Sequence, residues 1–185
     1  MAAYSRGFFP MADDWGNIRW FDPDPRGILP LDAFHVPRRL AKTIRSGGFE
    51  ARFDTSFRAV MEACAAPAPN RGETWISPEL VDAYEALHNL GLAHSVETWA
   101  DGELVGGLYG VAIRGLFAGE SMFSRATDAS KVALVHLVER LRAGGFVLLD
   151  TQFLTSHLAR FGGVEIRRRR YRELLARALA VDARF

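Results

Sequence analysis

The stretch that decides the fold is HSVETWADGELVGGLYGVAIRGLFAGESMF, residues His94 to Phe123. It is dense in β-branched and aromatic residues, and Asp101-Gly102 lies between two β-forming runs, the commonest short-range hairpin signal. The pattern predicts an antiparallel meander with strands over 94–99, 104–112 and 116–123. Gly106-Gly107 within the second strand predicts a bulge or a close backbone approach by a ligand. Downstream, Leu134, Leu137, Val138 and Leu141 share one face of a helix over 130–142, closed by Gly144-Gly145. The all-apolar run Phe146–Leu149 then reads as a strand buried on both faces. Thr155 is placed to cap a brief helix to Phe161, and a last helix covers roughly 168–180.

Upstream of the meander the chain reads as helices behind an irregular leader. Residues 1–24 mix Pro, Asp, Gly and aromatics without a sustained period, and Asp22-Pro23-Asp24-Pro25-Arg26-Gly27 is turn chemistry. Pro37 suits the first turn of a short basic helix to Arg45, ended by Gly47-Gly48. Phe57, Val60, Met61 and Cys64 follow i, i+3, i+4, i+7 spacing, so 55–66 is an amphipathic helix, stopped by Pro67-Ala68-Pro69-Asn70. Ser77 caps a helix with Pro78 at its first position, Leu80, Tyr84 and Leu87 on one face, and Gly91 at its C-terminal end. Helices, a meander, a helix, a buried strand and a final helix define an α/β (α+β) fold with a central mixed sheet. That order matches N-acetyltransferase-like (GNAT) layer folds, with 1–24 as leader and 25–185 as the main domain.

Composition excludes several classes. The chain has 185 residues, 49% of them hydrophobic and 24% charged, enough for one packed core and unlike a disordered chain. No apolar run suits a signal h-region or a membrane span. Cys64 is alone, which excludes an internal disulfide framework and fits a reducing cytoplasm. His35, His88, His94, His136 and His157 show no metal-ligand spacing, so no metal is expected. The net charge of +1 hides two basic groups, Arg38, Arg39, Lys42 and Arg45, and Arg167–Arg170 with Arg172. Either group reads as a phosphate-binding surface or as a solvated helix face.

An acyl-CoA transferase of this layer type needs a Gly-rich pyrophosphate loop at a helix N-terminus. The corresponding segment is Arg125-Ala126-Thr127-Asp128-Ala129-Ser130-Lys131, with a carboxylate where a phosphate would bind. Asp128 or Ser130 reads instead as an ordinary N-cap. Asp150 and Gln152, at i and i+2, point to one face of an extended segment, although Asp150 also reads as a cap for the turn after the strand.

Four blocks occur in order: Gly72-Glu73-Thr74-Trp75-Ile76, Glu103 to Gly110, Gly119-Glu120-Ser121-Met122-Phe123-Ser124, and Leu148-Leu149-Asp150-Thr151-Gln152-Phe153-Leu154. Together they resemble the leucyl/phenylalanyl-tRNA–protein transferase family, over about Tyr4 to Tyr171. The resemblance implies a GNAT-like domain that moves Leu or Phe, with Met a further candidate, from aminoacyl-tRNA to proteins beginning with Arg or Lys, marking them for degradation in the cytoplasm. It implies no cofactor, because the aminoacyl ester is already activated. It places Asp150 and Gln152 at the reacting amine, with Glu120 attracting the cationic acceptor. Leu108, Gly119, Met122, Ser124, Leu134, Leu137, Leu141 and Leu149 would form the amino-acid pocket. Trp75 would stack on the tRNA terminal adenosine, and Arg38, Lys42 and Arg45 would face the acceptor stem. Residues 1–24 correspond to the end of the family's N-terminal domain, and Met11 stands where a second family aromatic follows the Gly-x-Phe-Pro motif. The alternatives are a tRNA-binding relic without turnover and an acyl-CoA-dependent N-acetyltransferase.

Overall fold

The computed structural model describes residues 1–13, 15–67 and 74–185; Gly72 and Glu73 of the first block and Ala68–Asn70 of the expected helix stop lie outside them. A 3₁₀ turn (Tyr4–Arg6) leads into β1 (Phe9–Ala12), β2 (Ile18–Phe21), β3 (Arg26–Ile28), α1 (Arg38–Arg45) and β4 (Glu50–Phe53). Then follow α2 (Phe57–Ala65), α3 (Pro78–Asn89), β5 (Ala93–Ala100), β6 (Glu103–Ile113), β7 (Leu116–Ser124) and α4 (Ala129–Ala143). The chain finishes with β8 (Leu148–Gln152), α5 (Ser156–Ala159), β9 (Val164–Ile166) and α6 (Arg168–Leu179). Strands β1 and β2 form a hairpin of their own; the other strands make one sheet in the order β4-β5-β6-β7-β8-β3-β9. Among the described residues only the β7–β8 pairing is parallel, with α4 as its crossover. The α/β class with a central mixed sheet is therefore the one the sequence predicts.

Local chemistry explains the meander and its flanking helices. Asp101 and Gly102 both have positive φ, 50° and 81°, as a two-residue type I′ hairpin loop requires. The Ser77 hydroxyl accepts from the Leu80 N–H with Pro78 in the first helical turn. At the other end of α3, Gly91 takes φ 70°, with Gly91 N–H to the His88 carbonyl and Leu92 N–H to the Leu87 carbonyl, a Schellman closure. On β6, Leu108 faces one core with Val132, Leu134 and Leu137 of α4, while Tyr109 faces the other with Val60, Met61 and Tyr84 of α2 and α3. The sheet is thus covered on both faces, and α6 closes a smaller cluster with Ile28, Leu116 and Leu148.

Four expectations need correction. The leader is not irregular, since Phe9–Ala12 pairs in register with Ile18–Phe21. Strands β3, β4 and β9 were not legible, being short pieces that form because neighbours supply their hydrogen-bond partners. Strand β8 begins at Leu148 and runs through Gln152, so its polar residues lie inside the ladder and Val147 is half exposed. At Gly106-Gly107 the expected bulge is present, with Val105 the extra residue between the Thr98–Gly106 and Trp99–Leu104 pairs, but the close approach is made by protein and not by a ligand: a Cβ on Gly106 would stand 2.5 Å from the Ala129 Cβ, so α4 packs its first turn there.

Candidate active site

Strands β7 and β8 pair only over Leu116–Ala118 and Leu148–Asp150. Beyond that point β7 continues to Ser124 beside β6 alone, and the sheet splays. A cavity of about 280 Å³ fills the gap, just below the ~300–1,000 Å³ usual for ligand pockets. Leu108, Met122, Leu134, Leu137, Leu149 and Leu158 supply its apolar wall; Glu120, Thr151, Gln152 and His157 also line it. Of the eight residues expected at the amino-acid pocket, the structure brings Leu108, Gly119, Met122, Leu134, Leu137 and Leu149 together here. Leu141 does not reach the lining and is wholly buried in the α4 core. Ser124 is exposed, and its hydroxyl accepts from the Ser130 N–H, capping α4 rather than lining the pocket.

Both polar walls of the cavity are built at bulges. In the β6–β7 ladder Tyr109 pairs with Ser121 and Gly110 with Gly119, which leaves Glu120 as the extra residue. In the β3–β8 ladder Gly27 pairs with Gln152 and Ile28 with Asp150, leaving Thr151 as the extra residue. Bulges re-aim side chains beside functional sites. Gln152 has φ 58°, and the Phe153 N–H bonds the Thr151 carbonyl at 2.6 Å across it. A buried non-glycine residue held this way costs about 1–3 kcal/mol and requires its surroundings to enforce it. Part of the enforcement is Gly27, where a Cβ would meet the Phe153 carbonyl carbon at 2.5 Å.

Asp150 supplies the rest. The alternation expected for Asp150 and Gln152 fails because the bulge lies between them, and Asp150 points away from the cavity. Its Oδ1 accepts from Arg26 Nε and from the Gln152 backbone N–H, each at 2.9 Å. Its Oδ2 accepts from Arg26 Nη2 at 2.6 Å and from the Tyr171 hydroxyl at 2.8 Å. Arg26 and Asp150 are each 1% exposed. The guanidinium also donates to the Gly7 carbonyl and lies against the Phe9 and Tyr171 rings, so it joins the leader to the sheet. Burial, with Asp150 alongside, raises the Tyr171 hydroxyl far above its ordinary pKa, so it remains a donor.

Glu120 sits at the opposite wall. Its Oε1 accepts from the Tyr4 hydroxyl at 2.7 Å, and the Tyr4 and Tyr84 hydroxyls are 2.5 Å apart. Burial pushes its pKa up to about 8; Asp150 adds to the rise, while Tyr4, Tyr84 and Arg26 oppose it. Four side-chain atoms of the lining are buried without a hydrogen-bond partner: Tyr109 Oη, Thr151 Oγ1, Gln152 Nε2 and His157 Nε2. Unpartnered polar atoms in an apolar cavity cost free energy unless a ligand engages them. Burial lowers the His157 pKa, with Lys131 and Arg160 acting in the same direction.

The remaining candidates lie outside the cavity. Trp75 is half buried against the α2–α3 core, on which Met11 also packs, and its carbonyl accepts from the Ala12 N–H. Arg38, Lys42 and Arg45 are exposed on α1 without an ion pair to a described residue. The second basic group is partly neutralised: Arg168 and Arg172 approach Asp22, and Arg170 pairs with Glu173. At the acyl-CoA loop position, Asp128 stands before α4 at φ 69° and pairs with Lys131 at 2.5 Å. With Ser124 capping the first turn, that helix end is occupied by protein groups. Among the described residues no group of His, Cys, Asp and Glu could hold a metal, and no helix is long and apolar enough to cross a membrane. Sequence reasoning missed Arg26, Tyr4, Tyr84, Tyr109 and His157 as site residues: Tyr84 and Tyr109 read as packing positions of a helix and a strand, and Arg26, Tyr4 and His157 sit in no pattern that marks them.

Residues 28–176 match the family described as Leucyl/phenylalanyl-tRNA protein transferase, and residues 1–24 match that family's N-terminal domain. The chain is 62% identical over 183 residues to the leucyl/phenylalanyl-tRNA–protein transferase of Herpetosiphon aurantiacus, spanning 98% of this chain and 93% of that one. It is 60% identical to the enzyme of that name from Phenylobacterium zucineum, over 98% of this chain and 83% of that one. Among solved structures it is similar to a GCN5-related N-acetyltransferase from Kribbella flavida, at TM-score 0.46 and 12% identity, over 87% of this chain and 57% of that one. On the strength of the family matches and the identities above 50%, the chain belongs to the leucyl/phenylalanyl-tRNA–protein transferase family.

Proposed function

We propose that this protein transfers Leu or Phe from aminoacyl-tRNA to the α-amino group of an acceptor protein beginning with Arg or Lys, the modification that marks such proteins for degradation. The observation that carries the reading is the cavity at the splay: an apolar wall of Leu and Met side chains sized for one amino-acid side chain, closed by Glu120 and Gln152. The apolar wall receives the Leu or Phe side chain, which sets its ester carbonyl near Gln152. The Gln152 carbonyl oxygen accepts an N–H of the incoming amine, while its unpartnered Nε2 is a donor for the oxygen on which charge develops. Most of the acceleration then comes from positioning, because the ester is activated and an α-amine of pKa near ~8 is partly neutral at pH 7. Trp75 stacks on the terminal adenosine, a contact of ~1–3 kcal/mol, and Arg38, Lys42 and Arg45 face acceptor-stem phosphates.

The test is direct. Protein incubated with Leu-tRNA or Phe-tRNA and a peptide beginning with Arg should add one residue to the peptide, read by mass, without ATP. Folded protein that transfers from neither tRNA would refute the reading. If such protein still bound charged tRNA and left the ester intact, a binding role would replace it.

A further inference from the structure

We propose that Glu120 is the group that takes the proton from the attacking amine, with Tyr4 and Tyr84 behind it, and that Asp150 takes no part in proton transfer. This rests on the reading of the site as an aminoacyl transferase. Two carboxylates lie near the reacting region, and geometry separates them. A carboxylate offers about four lone-pair positions. Those of Asp150 are all filled, by Arg26 Nε, the Gln152 N–H, Arg26 Nη2 and the Tyr171 hydroxyl. Asp150 also does not line the cavity. Glu120 does, and the bulge at this position turns its side chain toward the gap beside β8. A proton arriving from the cavity therefore meets Glu120.

The groups facing Glu120 come from several elements. They are Tyr4 of the 3₁₀ turn, Tyr84 of α3, Tyr109 of β6, Asp150 of β8 and Arg26 of β3. Tyr4 and Tyr84 form a hydroxyl pair behind the carboxylate, and both are held above their ordinary pKa, chiefly by burial. They stay protonated and act as donors that steady the carboxylate form. With burial pushing Glu120 up to about 8, its proton affinity is close to that of an α-amine, ~8, the matching that favours general base catalysis.

The neutral amine nitrogen attacks the ester carbonyl carbon, the C–N bond forms, and the carbonyl electron pair moves to oxygen. The nitrogen, now bearing positive charge, gives a proton to the Glu120 carboxylate. As the carbonyl re-forms, the bond to the tRNA 3′-terminal ribose oxygen breaks, and that oxygen receives the proton from Glu120. Ester and amine become amide and alcohol with no net change in protons.

The experiment is the pH dependence of kcat/KM for the peptide acceptor, between about pH 5.5 and 7.5, below both ionisations. In the wild-type protein both the amine and Glu120 must lose a proton, so log rate should rise with a slope approaching two. Glu120→Gln should lower the rate by roughly 10²–10⁴-fold and reduce the slope to one, leaving only the amine. Tyr4→Phe removes a hydrogen bond that favours the carboxylate, and should move the profile to higher pH. Asp150→Asn, assayed well below its melting temperature, should keep the slope of two. A Glu120→Gln protein with a rate within a few-fold of wild type, or with the slope still two, would overturn the proposal. If Glu120→Gln does not fold, an unmoved profile in Tyr4→Phe overturns it. Wild-type protein without any transfer would instead count against the proposed function itself.

Discussion

Replacing Asp150 by Asn should be a stability lesion before it is a catalytic one. The family resemblance places Asp150 at the amine, which predicts a slow but intact enzyme. In the structure its carboxylate is, among the described residues, the sole counter-charge within hydrogen-bond reach of Arg26, and both side chains are 1% exposed. Breaking such a pair from one side leaves an uncompensated buried charge, which costs about 3–5 kcal/mol. For a domain of this size ~1 kcal/mol moves Tm by ~2–4 °C, so the shift should be roughly 6–20 °C downward. The fold should survive at 25 °C, since ordinary stabilities are ~5–15 kcal/mol.

Arg26→Met should cost a similar amount, because it strands the carboxylate instead. The double variant Arg26→Met/Asp150→Asn should lose clearly less than the sum of the singles, since neither change then leaves a charge alone. Urea titration with an unchanged m-value is the assay. An Asp150→Asn protein that loses under ~1 kcal/mol, or a double variant that is strictly additive, would show that the pair does not hold this corner of the sheet.

Other outcomes follow from the same geometry. Glu120 is raised from 4.5 to about 8 in the folded protein, so between those values the folded state binds more protons than the unfolded one. Its contribution to stability should fall as pH rises through that window; Glu120→Gln should flatten the dependence, which thermal unfolding across pH will read. Leu137 is 1% exposed and lines the cavity, so Leu137→Phe should shorten the pocket and lower transfer of Phe relative to Leu by at least about tenfold, measured with the two charged tRNAs in competition. Removing Arg38, Lys42 and Arg45 together should weaken tRNA binding and reduce its salt slope by roughly 2–3 in log Kd per log salt, with the melting temperature little changed because all three are exposed.

The helices and the meander were legible because their signals are local. Apolar spacing marks α2, α3 and α4; Asp101-Gly102 marks the β5–β6 hairpin. Strands β3, β4 and β9 carry no such signal: Arg26-Gly27-Ile28 reads as turn sequence and is a strand because β8 and β9 pair with it from both sides. The site was legible in the same partial way. The blocks single out Glu120 and Gln152, which the structure brings to the cavity lining, yet the direction of Asp150 could not be read. Period-2 reasoning assumes an unbroken strand, and the bulge at Thr151 breaks it. Arg26 lies 124 positions from Asp150, and Tyr4 lies 116 from Glu120. No window along the chain joins such pairs; only the closed sheet does.

That failure of local rules has a common origin in the splay. Once β7 and β8 part after Ala118 and Asp150, each must end its ladder without leaving its polar groups buried and unpaired. Each stays paired on its other side, β7 with β6 and β8 with β3, and each of those ladders carries a bulge at the gap, at Glu120 and at Thr151, both of which line the cavity. The strain at Gln152 needs a fixed support, which the Arg26–Asp150–Tyr171 cluster provides from behind the strand. A carboxylate used in that way is satisfied on every lone pair and is lost to acid–base chemistry. On the proposed mechanism the proton goes to a carboxylate that is supported less completely, and Glu120, held on one oxygen by Tyr4 and bordering the cavity, meets that condition. The division between a supporting carboxylate and a reacting one thus follows from the way the sheet opens.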